Sequence, residues 1–250
     1  MASQITDGYN YEGKLALVTG STSGIGEYIA KTLSELGATV IINSSKSKDR
    51  GEELAASLKN ASYCQGDISD HSQILKIVEY VKSVGPNLDI LVNNAGITHL
   101  ISHSDLEAAN VDVWKDIFSV NVFGTWDLTV GLMPYLRASN GVVINISSIA
   151  GIRPTGSSIP YSVSKAAINQ MTKLLAKTVG PEVRVNAVAP GLVETPWTKD
   201  WGPAKDIAKS QTPLNDVASP KDVTELVLGL ISSRFVTGEV VLVDGGWNLR

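Results

Sequence analysis

The chain has 250 residues, enough for one large core or two small ones, and no linker, charge block or compositional break divides it. Hydrophobic residues make up 43% and charged residues 18%, a balance that excludes a disordered chain. The formal net charge of −4 offers no basic face to a nucleic acid, and no apolar run approaches the roughly 18 residues of a membrane span, so neither nucleic acid nor membrane is expected as a partner.

From Met1 to Tyr11 there is neither a basic nor an apolar export signature, so the stretch reads as a short N-terminal extension and the expected location is cytoplasmic. Cys64 is the single cysteine, which excludes an internal disulfide. His71, His99 and His103 lack a ligand spacing, so no metal is expected; His99 and His103 read as sharing one helix face.

Short β-branched runs follow one another along the chain: Leu15–Val18, Thr39–Asn43, Ala61–Gln65, Leu88–Val92, Val142–Ile146, Val183–Val188 and Glu239–Val243. Between them lie stretches with helical periodicity, such as Ile25, Ile29, Leu33 and Leu36, or Ile74, Ile77, Val78 and Val81. Strands that are apolar on both faces and separated by helices predict a single doubly wound α/β domain over residues 1–250, with a seven-stranded parallel sheet covered by helices on both faces. In such sheets ligands bind beyond the carboxyl ends of the strands, so chemistry is sought just after each run.

After the first run comes Thr19-Gly20-Ser21-Thr22-Ser23-Gly24-Ile25-Gly26, opening a helix. Glycines there permit a tight turn and close approach of a pyrophosphate, and the helix N-terminus supplies free N–H groups. After the second run stands Asn43-Ser44-Ser45-Lys46-Ser47-Lys48, and the first acid is Asp49, inside the next helix. Hydroxyls and ammonium groups suit a ribose 2′-phosphate, whereas a carboxylate would suit the ribose hydroxyls of NAD. NADP(H) is therefore the expected cofactor and NAD(H) the alternative. Asn93-Asn94-Ala95-Gly96 follows the fourth run. The next segment, Asp112–Leu136, reads as one helix that is apolar on more than one face, from Val113 and Trp114 through Phe118 and Phe123 to Trp126 and Leu132, and part of it is expected to meet another subunit. Within it Asn121 stands among apolar neighbours.

The fifth run leads into Ser147 and Ser148, and Tyr161-Ser162-Val163-Ser164-Lys165 then opens a helix. Tyrosine and lysine four residues apart share a helix face, so the ammonium can sit beneath the phenol. A free phenol, with a pKa near 10, is a poor base at neutrality, and a nearby cation is expected to lower it. Pro190-Gly191 follows the sixth run and Asp244-Gly245-Gly246 the seventh.

Taken in order, these pieces resemble the short-chain dehydrogenase/reductases of about 250 residues, over essentially the whole chain: Thr19–Gly26, Asp67, Asn93–Gly96, Asn121, Ser148, Tyr161 with Lys165, and Asn186 through Gly191. The resemblance implies a Rossmann-type domain and hydride transfer between a nicotinamide cofactor and a carbonyl or secondary alcohol. It implies Tyr161 as general acid/base, Ser148 as a second bond to the substrate oxygen, Lys165 on the tyrosine and the nicotinamide ribose, and Asn121 as the anchor of a water beside Lys165. Ser147 competes with Ser148; the spacing to Tyr161 selects Ser148, and strand alternation turns Ser147 the other way. Asp67 is implied to contact the adenine amine. Gly20, Ser23, Gly24, Ile25, Gly26, Ile68, Asn94, Ala95, Gly96, Pro190, Gly191, Val193 and Thr195 are implied to line the cofactor, with Ser44, Ser45 and Lys46 at its adenosine ribose. Family members that use NADP often carry an arginine where this chain has Ser23. A homotetramer is implied as well.

The segment Leu192–Asp216 reads as a substrate-specificity loop carrying Trp197 and Trp201 with Lys199, Lys205 and Lys209. The tryptophans favour a hydrophobic or aromatic ketone. The alternatives are a 3-oxoacyl-(carrier protein) reductase of the same family, for which the three lysines would form a basic rim, and a non-catalytic NADP-binding regulator.

Overall fold

A computed structural model of the chain describes residues 8–249. Its strands are β1 (Leu15–Val18), β2 (Thr39–Ser44), β3 (Ala61–Gln65), β4 (Ile90–Asn93), β5 (Val142–Ile146), β6 (Arg184–Pro190) and β7 (Val240–Val243). Its α-helices are α1 (Gly24–Glu35), α2 (Lys48–Ser57), α3 (His71–Val84), α4 (Val111–Phe118), α5 (Thr125–Ser139), α6 (Ile159–Val179), α7 (Gly202–Gln211) and α8 (Pro220–Ser232). The seven strands form one parallel sheet in the order β3-β2-β1-β4-β5-β6-β7. The chain order reverses between β1 and β4, which opens a crevice at their carboxyl ends.

Side-chain alternation along the strands divides the core in two. Ala16 and Val18, Val40 and Ile42, and Ile144 and Ile146 pack with Ile29 and Leu33 of α1 and Val223 and Val227 of α8. Leu15 and Leu17, Leu91 and Val143 face the opposite side, onto Ile74 and Ile77 of α3, Leu128 and Leu132 of α5 and Leu175 of α6. Both faces are thus covered, as near-continuous apolar strands require. Among the described residues, no helix is long and apolar enough to cross a membrane. Of the expected N-terminal extension, Met1–Asp7 lie outside the described residues, while Tyr11 is buried against α8, its hydroxyl 2.8 Å from that of Ser232.

Three expectations need correction. The segment Asp112–Leu136 is not one regular helix: α4 and α5 are joined by a π-helical stretch, Ser119–Gly124. The Asn121 side chain is turned there to the backbone of Ile97, which a regular repeat would not allow without moving its neighbours. Secondly, Leu192–Asp216 is not a bare loop. It holds a bridge from Val193 to Ala218, a single 3-10 turn at Pro196–Thr198, and α7. Finally, His99 and His103 share no helix; both lie in the irregular stretch between β4 and α4.

The π-helical stretch closes on Gly124, whose position ties α5 to the turn after β3. A Cβ there would lie 2.2 Å from the carbonyl oxygen of Ile68. Gly124→Ala should therefore destabilise the protein by about 1–3 kcal/mol, the usual range for overpacking. Urea unfolding would show a lower midpoint; an unchanged midpoint would contradict this packing.

Candidate active site

The crevice between β1 and β4 is stitched together by backbone and threonine. Thr19 Oγ1 accepts the N–H groups of Asn94 and Ala95, each at 3.0 Å. In return, Asn94 Nδ2 donates to the carbonyls of Thr19 (2.9 Å) and Gly20 (3.0 Å). Gly20 and Gly24 have φ of +60° and +58°, which L side chains rarely adopt, and a Cβ on Gly20 would meet the Ala95 Cα at 2.8 Å. The N-cap of α1, Ser23, makes no side-chain bond to the first turn, and Gly24 and Ile25 line the open cleft there. The first turn of α1 thus offers uncapped N–H groups and the positive end of the helix dipole. Thr195 closes over this turn: a Cβ on Gly24 would lie 3.3 Å from its methyl group.

At the end of β2 the three expected ribose contacts separate. Ser44 is buried, and its hydroxyl pairs with that of Tyr63 at 2.9 Å rather than standing free. Ser45 and Lys46 are exposed along the cleft, and all three residues line it. Asp67 lines the cleft with Oδ1 held by the backbone N–H (2.9 Å) and hydroxyl (2.7 Å) of Ser69. Ile68, Asn94, Ala95, Gly96, Pro190, Gly191, Val193 and Thr195 line the same cleft, which encloses about 950 Å³. Gly26 lies beneath it, against Asn94: a Cβ there would be 2.4 Å from Asn94 Nδ2.

At the other end of the cleft, α6 lies across the end of β5. The Ser158 side chain caps the helix by accepting the Tyr161 N–H at 3.3 Å, which fixes Tyr161 in the first turn. Ser148 and Tyr161 line the cleft together, the Ser148 hydroxyl lowering the phenol's pKa, while the Ser147 hydroxyl is turned to Asn169. Lys165 is buried; its Nζ donates to the Ile146 carbonyl at 2.8 Å and stands 5.7 Å from the centre of the Tyr161 ring. Asn121 accepts the Ile97 N–H at 2.8 Å and donates to the Ile97 carbonyl and the Ser164 hydroxyl, both at 3.0 Å. The tyrosine, serine and lysine expected from the sequence thus line one cleft, while Asn121 lies outside its lining, bonded to Ile97 and Ser164.

The electrostatics differ from expectation. Burial pushes the Tyr161 phenol up to about 12, against a smaller lowering by Ser148. Burial also pulls the Lys165 ammonium down to about 8. Loss of solvent is the larger influence on the Tyr161 phenol, and the same burial disfavours the charge on Lys165. Near neutrality Tyr161 therefore holds its proton.

The outer wall is aromatic. Trp197 meets the Tyr161 ring edge-on with centroids 6.5 Å apart, and Trp201, Ile207 and Trp247 continue the lining. Trp247 is held from two sides, by Gln211 Oε1 on its indole N–H (3.0 Å) and by the Arg153 guanidinium on its carbonyl. His99 and Asp116 pair across the mouth at 2.5 Å. Of the lysines expected to form a rim, Lys205 and Lys209 share one face of α7, and each is paired with an acid: Lys205 stands 3.9 Å from Glu194 and Lys209 3.4 Å from Asp216.

Sequence reasoning assigned no role to Thr19 or Ser164. The signal for Ser164 was available, since a polar residue next to Lys165 on a largely buried helix must find a partner.

A model of the family described as enoyl-(acyl carrier protein) reductase matches residues 20–248. The protein named "Granaticin polyketide synthase putative ketoacyl reductase 2", from Streptomyces violaceoruber, is 50% identical over 95% of this chain and 97% of its own. Among solved structures, the Pseudomonas aeruginosa RhlG/NADP active-site complex superposes with a TM-score of 0.87 at 31% identity, covering 95% of this chain and 97% of that one. The 3-ketoacyl-(acyl-carrier-protein) reductase of Brucella melitensis complexed with NADH gives 0.88 at 31% identity, over 95% and 99%. With half its residues shared across nearly the full length, the chain belongs to the short-chain dehydrogenase/reductase family of oxidoreductases.

Proposed function

We propose that the protein transfers a hydride between NADP(H) and a carbonyl or secondary alcohol, with a hydrophobic or aromatic ketone as the substrate to be reduced. One observation carries the reading: Tyr161, beside Ser148 and with Lys165 over its ring, forms the floor of a cleft whose outer wall is Trp197, Trp201 and Trp247.

The residues present fit a nicotinamide dinucleotide. The uncapped first turn of α1 suits a pyrophosphate, and the glycines of the turn leave room for it. Ser45 and Lys46 would take a 2′-phosphate, Asp67 the adenine, and the β4 and β6 turns the nicotinamide end. When bound, that group supplies or accepts the hydride. Solved relatives bind either form, one being a complex with NADP and another with NADH, so NAD(H) is the competing cofactor.

In the reducing direction, the protonated Tyr161 donates its proton to the carbonyl oxygen as negative charge develops there. The Ser148 O–H donates to the same oxygen, and this preorganised pair stabilises the charge. The Lys165 ammonium stabilises the phenolate left behind. Asn121 holds the Ile97 backbone against Ser164 on α6, which keeps the floor of the cleft fixed.

Among named relatives, the polyketide ketoacyl reductase favours a second reading, in which the ketone belongs to a 3-oxoacyl chain on a carrier protein. Against a carrier-protein dock stand the two lysines already facing Glu194 and Asp216. The occupied tyrosine, serine and lysine positions argue against a non-catalytic regulator. We also propose a homotetramer, because Phe123, Trp126 and Val130 are exposed on one chain. A cytoplasmic location completes the proposal.

Following NADPH and NADH consumption with a bulky aryl ketone and with acetoacetyl-carrier protein separates the readings. The ketone should give the higher kcat/KM with NADPH, and Lys46→Ala should weaken NADPH alone. A higher kcat/KM on the carrier-protein substrate, falling steeply with salt, would establish the second reading instead.

The two pKa values give the pH dependence its sign. Tyr161, raised to about 12, stays protonated throughout the working range, so reduction does not lose its acid there. Lys165, lowered to about 8, loses its charge above that pH and with it the stabilisation of the phenolate. Reductive kcat should be flat below about pH 8 and fall above it, while oxidation, which needs the phenolate, should rise toward alkaline pH. Parallel profiles in the two directions would contradict this assignment.

A further inference from the structure

The end of β5 meets α6 in successive contacts. The Ile146 carbonyl accepts from Lys165 at 2.8 Å. The Ser147 hydroxyl donates to Asn169 Oδ1 at 2.5 Å and lies 3.3 Å from the Lys165 carbonyl. Ser148 then lines the cleft with Tyr161. Tyr161, Lys165 and Asn169 are spaced by four residues along α6 and so share one face.

Asn169 also reaches the far side of Ser148. Its Nδ2 donates at 3.1 Å to the carbonyl of Gly151, the last residue of the single 3-10 turn Ile149–Gly151. Ser148 caps that turn by accepting the Ala150 N–H at 3.1 Å. One amide therefore holds the residue before Ser148 and the turn after it. The turn has no slack against α6, since a Cβ on Gly151 would lie 2.6 Å from the Lys165 carbonyl carbon. Ser147 and Asn169 are only 4% and 8% exposed, so solvent does not replace these bonds when one is lost. Asn169 does not line the cleft, whereas Ser147 and Ser148 do.

We infer that Asn169 is a positioning residue of the reaction, setting the place of the Ser148 hydroxyl along α6 and hence its approach to Tyr161. The inference rests on the proposed roles of Ser148 and Tyr161 at the substrate oxygen. Asn169 acts through Ser148 and touches neither substrate nor cofactor. Its loss leaves binding in place and slows the proton-transfer step. The Ser148 hydroxyl lowers the pKa of the Tyr161 phenol, so its displacement moves the alkaline rise of the oxidative reaction to higher pH.

Asn169→Ala and Ser147→Ala, each alone and combined with Ser148→Ala, provide the test, with kcat, ketone KM, NADPH affinity by fluorescence and the oxidative pH profile as readouts. Each single variant should lower kcat on the order of 10-fold, less than the loss from a full misplacement of about 1 Å. KM and NADPH affinity should stay within about two-fold, and in the Ser148→Ala background neither variant should lower kcat by more than about two-fold further. Losses that multiply in that background, an unchanged kcat, or an unmoved pH profile would overturn the inference. If Asn169→Ala fails to bind NADPH, Ser147→Ala decides, because it breaks the same link and leaves the Gly151 anchor in place. A Ser148→Ala protein with full activity would overturn the proposed function itself; a crippled Ser148→Ala beside an unaffected Asn169→Ala would overturn only the role of Asn169.

Discussion

The seam between the end of β5 and the first turns of α6 buries a phenol and an ammonium with no carboxylate contributing to either, and the surrounding structure answers that cost. An unpaired buried ammonium is strongly unfavourable, so Lys165 takes the free carbonyl of Ile146 at the strand end. That carbonyl is available only because the strand stops there and the chain turns at Ser147 and Ser148. Helix α6 can lie this close because Gly151 carries no side chain toward it. The chemistry thus depends on a strand end and a helix face held at contact distance.

The same solution extends inward as a buried polar ladder. Asn93 and Asn145 are paired in register across β4 and β5. Asn93 Nδ2 donates to Asn145 Oδ1 at 2.9 Å and to Thr129 Oγ1 on α5 at 3.0 Å, and Asn145 Nδ2 donates to Thr172 Oγ1 on α6 at 2.8 Å. These bonds give the two central strands one register and one height against two helices, which apolar packing alone specifies less sharply. The crevice at β1 and β4 is fixed in turn by Thr19 and Asn94. Both ends of the cleft are therefore set by hydrogen-bonded turns on a rigid sheet.

Much of this was legible in the sequence because strands buried on both faces leave uninterrupted β-branched runs, and the functional residues follow those runs. The glycine turn at Thr19–Gly26 and the spacing of Tyr161 and Lys165 are local patterns of that kind. What was not legible depends on contacts distant in sequence. The π-helical break at Asn121 answers to Ile97 and Ser164, and no local signal announces them. That the Ser44 hydroxyl pairs with Tyr63 on the neighbouring strand is likewise a contact no local pattern announces. The rise of the Tyr161 pKa follows from burial, whereas the Tyr-Lys spacing by itself points to a fall. The helix in the Leu192–Asp216 segment opens without a capping signal, because its N-cap is Trp201, which makes no side-chain bond.

The tryptophan wall and the paired lysines bear on what enters the cleft, while the Tyr161 face bears on what happens there. The second matter is the central one, and it has a direct test. Single-turnover reduction by Tyr161→Phe, with NADPH affinity measured on the same protein, removes one hydroxyl from an otherwise intact cleft. The expected result is unchanged NADPH affinity and a reduction rate lower by about 10²–10⁴-fold, the usual contribution of a general acid. A Phe variant that binds NADPH and still reduces the ketone at more than about a tenth of the original rate would contradict the account, because general-acid loss of this size could not then reside in Tyr161.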